Sequence, residues 1–263
     1  MADPSFADLA FYYTGAGSNS TTSLSIGDDI SSVRIRFQSC TGLTTLTGIT
    51  LDDGLGNLEG DGTLSYTAST TSLTWTPYGG SAGSSVVVSA DGTYFVQGAN
   101  DGGGLCITVV AASLPTSNTS NTVTVVNNEE KWYLDQTKAE SLAGVTKYHC
   151  WAVKNVHATD PIIGIKLWIA ENTPGQDTMS LYLDPLAAGD GATTSPTPVA
   201  NENTAPAAST FVTPDSKTHA SVLSMGDLTA GQVRFFWTKQ TTPASVTAKK
   251  LGNTFKLGVY ASF

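Results

Sequence analysis

The chain has 263 residues and a formal net charge of −9, with 40% hydrophobic and only 13% charged residues, against roughly 25% charged in an ordinary globular protein. Residues 1–128 carry ten acids and two bases, Arg34 and Arg36, whereas residues 129–263 carry twelve acids and eleven bases. An acidic first half argues against nucleic acid as a partner, because phosphate binding needs clustered Lys and Arg, and no apolar run approaches the length of a membrane span.

The N-terminus, MADPSFADLAFYY, lacks the basic region and long apolar run of a standard signal peptide. Short strands between turns follow: 32–39, 47–53, 62–68, 72–77, 84–90, 92–99, 105–114 and 121–128. Their separators DDGLGN, EGDG, YGGSAG, ADG and NDGGG supply the residues tight turns require. At 129–145, Thr137 with Glu140 fits a capping box and Gly144 a helix stop, which predicts a short helical connector. Strands resume in KYHCWAVKNV, IIGIKLWIAE, DTMSLYLDP, QVRFFWTKQ and TFKLGVYASF. Between DTMSLYLDP and QVRFFWTKQ lies a long polar, proline-rich stretch, 186–220, expected as a surface loop or arm that a neighbour helps to order. The fold class is therefore all-β: two Ig-like or jelly-roll-like β-sandwich domains, 1–128 and 146–263, joined by the helical connector 129–145.

The chemistry-bearing residues are sparse. KYHCWAVKNVHATDP (147–161) holds His149, Cys150 and His157. Strand alternation puts His149, Trp151 and Val153 on one face and Tyr148, Cys150 and Ala152 on the other, so the strand is expected to be central and covered on both faces. The histidines read as structural, because no Asp, Glu or His at metal-ligand spacing completes a site. LDDGLGNLEGD clusters Asp52, Asp53, Asn57, Glu59 and Asp61, a weak calcium candidate through hard oxygen ligands; solvation of a hairpin tip is the primary reading. NDGGGLC lacks the Gly-Lys-Ser/Thr of a phosphate loop, and YGGSAGSS lacks the spacing of a nucleophile elbow. Trp75 and Tyr78, beside a Gly-rich turn, are the aromatic residues best placed to stack on a sugar; mid-strand aromatics read as core.

Three separated cysteines form neither a disulfide framework nor a CxxC pair. Cys40, Trp75 and Cys106 follow the Cys…Trp…Cys order of antibody domains, but the spacing is wrong and Gly104 replaces the tyrosine-corner residue, so no such disulfide is expected. Cys106 and Cys150 sit in apolar strand patterns. Cys40 lies beside a Thr-Gly turn and follows Arg34 and Arg36, which makes it the candidate reactive thiol and inter-subunit bridge.

Segments 23–35, 49–67, 73–96 and 153–185 resemble proteins encoded by tailed bacteriophages. The resemblance implies a multicopy virion structural protein, in the class of capsid decoration, neck or tail components, made in the bacterial cytoplasm and binding other virion proteins. It brings no catalytic residues. The expectation is a non-enzymatic homo-oligomer without cofactor, nucleic-acid partner or membrane. A carbohydrate- or receptor-binding module of a phage fibre or adhesin is the alternative.

Overall fold

A computed structural model describes residues 8–35, 38–43, 46–51, 62–78, 80–98, 104–127, 138–171, 177–244 and 255–262. The described residues are all-β, built from several antiparallel sheets. In chain order the strands are β1 (Leu9–Thr14), β2 (Ile30–Arg34), β3 (Gln38–Thr41), β4 (Ile49–Leu51), β5 (Gly62–Thr67), β6 (Ser72–Pro77), β7 (Val86–Val87), β8 (Gly92–Gln97), β9 (Gly104–Val109) and β10 (Thr119–Asn127). They continue as β11 (Val145–Asn155), β12 (Ile162–Glu171), β13 (Thr178–Leu183), β14 (Leu223–Leu228), β15 (Val233–Thr242) and β16 (Lys256–Ser262). Two compact units result: Met1–Ala10 with Ile35–Glu130, and Phe11–Arg34 with Lys131–Phe263.

The first unit contains the sheets β3-β10-β5-β6-β7 and β4-β9-β8. Alternation sets its core. β5 buries Gly62, Leu64 and Tyr66, and Leu64 lies opposite Trp75 of β6. Trp75, fully buried, shares one core with Leu64, Leu73, Val96, Leu105, Ile107, Val109 and Val123 from both sheets. Gly62 is dictated by that indole, because a Cβ there would overlap the Trp75 ring.

The second unit contains the sheets β13-β15-β11-β1-β2 and β14-β12-β16. β11 is central in the first of these and buried on both faces, as alternation predicts. On one face Cys150 and Ala152 pack with Val233, Phe235 and Trp237 of β15. On the other, the Trp151 indole donates to Thr238 Oγ1 at 2.8 Å, and Phe11 meets Phe236 edge-on with centroids 6.3 Å apart. In β12, Gly164 at φ +61° takes up a register irregularity that lets both Ile162 and Ile165 point inward.

Three expectations need correction. The division at residue 128 is not the one the sheets follow, since β1 and β2 belong with β11, β13 and β15. Thr14 Oγ1 donates to the Cys150 carbonyl across 136 residues of sequence, a pairing that local composition cannot reveal. The predicted strand 32–39 is two strands, broken after Arg34 where the chain passes from one unit to the other. Among the described residues no helical connector is seen. Residues 128–137 lie outside the described residues, and the six-residue helical turn α1 (Lys138–Ala143) runs straight through Gly144, at φ +76°, into β11.

The stretch 186–220 is not a free arm. Its backbone is stitched to the second unit along its length. Gly189 exchanges both hydrogen bonds with Val233, and Gly191 and Pro196 accept from Ile30 and Asp28. Val199 donates to Ile26, Glu202 accepts from Tyr148 at 2.6 Å, Val212 exchanges both bonds with Leu181, and Pro214 accepts from Ile169. It is a strap. The turn-forming residues that make it read as a loop also let it bend repeatedly while its carbonyls satisfy strand-edge amides.

Candidate functional site

The described residues gather one buried cluster of ionisable side chains, in the second unit. Lys147 and His149, two apart on β11, project from the same face. The strap carries Glu202 to them, because its carbonyl accepts from the Tyr148 amide at the strand edge and leaves the side chain beside both residues. Glu202 Oε1 lies 2.8 Å from Lys147 Nζ, and Oε2 lies 3.4 Å from His149 Nε2. Glu140 of α1 approaches the same ammonium at 3.3 Å. Lys147 is 2% exposed and His149 0%.

The electrostatics follow from that burial. The His149 imidazole at 3.4 Å, joined by the Lys147 ammonium, outweighs burial and holds the Glu202 carboxyl down at about 2. Burial pushes the His149 imidazole below its ordinary value, although Glu202 pulls it back up. Burial also pulls on Lys147, but Glu202 and Glu140 together raise it. At neutral pH the cluster is an ammonium held between carboxylates, with an uncharged imidazole beside it. The His149 contact is long for a hydrogen bond and the Lys147 contact is tight, so Lys147–Glu202 is the bond that fixes the strap. An imidazole and an ammonium this deeply enclosed do not meet a substrate arriving from solvent. In this arrangement they act as a latch.

The sequence candidates scatter. Asp52, Asp53, Asn57, Glu59 and Asp61 lie outside the described residues. Among the described residues no group of three or more His, Cys, Asp or Glu is placed to hold a metal ion. His157 stays local: its Nδ1 accepts from the Asp160 amide at 2.9 Å and caps the turn after β11. Cys40 stands in β3 opposite Val125, and its side chain lies outside the description, as does that of Cys106. Cys150 is a buried free thiol, pushed well up by burial. Trp75 and Tyr78 do not form a sugar platform: the indole is 0% exposed and the phenol 83%. Trp75 faces the core because it alternates with Thr74 and Thr76, whereas Tyr78 follows the strand's end. Among the described residues no helix is long and apolar enough to cross a membrane. No protein-family model matches the chain, and a search of curated proteins finds no match.

Sequence reasoning passed over Glu202, the acidic half of the latch. One signal was present: Glu202 is the sole charged residue between Asp190 and Asp215.

Proposed function

We propose that this chain is a non-enzymatic structural protein of a tailed-bacteriophage particle, a multicopy capsid-decoration, neck or tail component made in the bacterial cytoplasm. In this reading each unit is an Ig-like or jelly-roll-like sandwich, and neighbouring virion proteins, including copies of the chain, are the partners. The observation that carries it is the use made of buried charge. Lys147, His149 and Glu202 are directed at one another and at fastening the strap, an arrangement suited to a rigid building block rather than to turnover. The sequence resemblance to phage proteins supports the virion setting. The test is peptide mass spectrometry of purified particles from the phage that encodes the chain. Peptides of this chain, at a stoichiometry comparable with other structural proteins, are expected; particles that lack them overturn the reading.

A further inference from the structure

The second unit displays an aromatic surface, which the pair Trp75 and Tyr78 does not form. In the sheet β14-β12-β16, Ile165, Leu167 and Ile169 point inward, so Lys166 and Trp168 point outward from its central strand. Gly258 of β16 lies opposite Trp168, and the indole occupies the space a Cβ on Gly258 would fill. A side chain there would lift the ring off the sheet; glycine lets it lie across the neighbouring strand and remain half-buried. Tyr260 is two residues along β16, about 7 Å away on the same face, opposite Lys166 and 38% exposed. The strap adds Lys217, whose Nζ stands 5.2 Å from the centre of the Tyr260 ring.

We propose that Trp168, Tyr260, Lys166 and Lys217 form a binding platform for an acidic saccharide, a glycan that carries carboxylates on pyranose rings. Aromatic faces carry negative quadrupole density and suit the C–H faces of sugar rings, and Trp168 and Tyr260 stand at diagonal positions on neighbouring strands of one sheet face. The charge selects the acidic class. Among the described residues neither Lys166 nor Lys217 is paired with a carboxylate, in a chain whose formal charge is −9. Lys256, on the same strand, is instead held by Glu171 at 2.9 Å. Asp227, on the adjacent β14, uses its carboxylate to accept from the Gly164 amide. Lys217 resides over the Tyr260 ring, so a carboxylate arriving there meets an ammonium on that ring, next to the half-buried Trp168 indole that offers the stacking face.

Calorimetric titration of the full chain with oligogalacturonate, oligoalginate and oligosialate, and with neutral maltohexaose, tests this directly. At least one acidic oligomer is expected to bind, with affinity falling as salt rises and at least tenfold tighter than maltohexaose. Trp168→Ala and Tyr260→Ala should each weaken it at least tenfold, and Lys217→Ala several-fold. Trp168→Phe should retain most of the affinity, which separates loss of stacking from loss of fold; Tyr78→Ala should change nothing. The proposal is overturned if none of the acidic oligomers binds, if maltohexaose binds equally well, or if Trp168→Ala and Tyr260→Ala bind as the parent does.

Discussion

At the scale of single residues, Glu202 is the most consequential side chain in the second unit. It is the closest anion to a lysine that is 2% exposed, and its own carbonyl completes the edge of β11. Removing one partner of a buried ion pair strands the other, which costs about 3–5 kcal/mol when burial is complete. Glu140 remains beside Lys147, so Glu202→Ala is expected to destabilise the protein by about 3 kcal/mol, the low end of that range. Replacing both charges by apolar groups of similar size removes the stranded ion. The double variant Lys147→Met/Glu202→Leu should therefore recover most of the loss. Urea denaturation followed by tryptophan fluorescence gives both numbers. A Glu202→Ala protein as stable as the parent would show that the latch carries no load.

At the scale of elements, the strap departs furthest from its sequence. Prolines, threonines and alanines over 186–220 read as a surface loop or arm that a neighbour helps to order, yet the backbone is bonded to its own unit from Gly189 to Pro214. Phe211 packs between Tyr148 and Tyr182, with ring centroids 5.5 and 5.6 Å away, and Lys239 stands 5.7 Å from its centre. Cleavage requires local opening of several residues, so the strap should resist proteinase K under native conditions. Phe211→Ala should expose it, because the ring is one of its apolar anchors on the core of the second unit; N-terminal sequencing of the fragments identifies the cut. Rapid cleavage of the parent within 189–214 would sink this account. The contrast explains what was legible. Gly62–Thr67 was legible within a residue of its bounds because its period of two is a local signal, and Ser72–Pro77 and Ile162–Glu171 because their strand-forming residues are bounded by turn or proline signals. Leu223–Leu228 was not, since Gly226 at φ +76° interrupts its pattern. The two faces of β11 followed from alternation, but the latch did not: residues 147 and 202 meet only through the path of the strap, which no periodicity encodes.

At the scale of the whole molecule, the latch should shape how stability depends on pH. Glu202 has a folded value of about 2, below its ordinary 4.5, so the stability it contributes is complete above 4.5 and is lost as pH falls towards 2. His149 is lowered from 6.5 by burial. The unfolded chain therefore takes up its proton first, and stability begins to fall once pH drops below 6.5. Lys147 is raised above 10.5 despite burial, so its contribution is present below 10.5 and is lost as pH climbs through the folded value. The three shifts together predict a plateau between about pH 6.5 and 10.5, with a two-stage decline on the acid side. Other carboxylates also titrate in acid, so the informative quantity is the difference between parent and variant. Melting temperatures measured from pH 3 to 9 should show His149→Gln removing the decline between 6.5 and 4.5 while leaving the steeper loss below it. Glu202→Gln should lower stability on the plateau and flatten the loss below 4.5, because no carboxylate remains there to be protonated. If both variants follow the parent's acid limb at a constant offset, the cluster is not the source of the pH dependence.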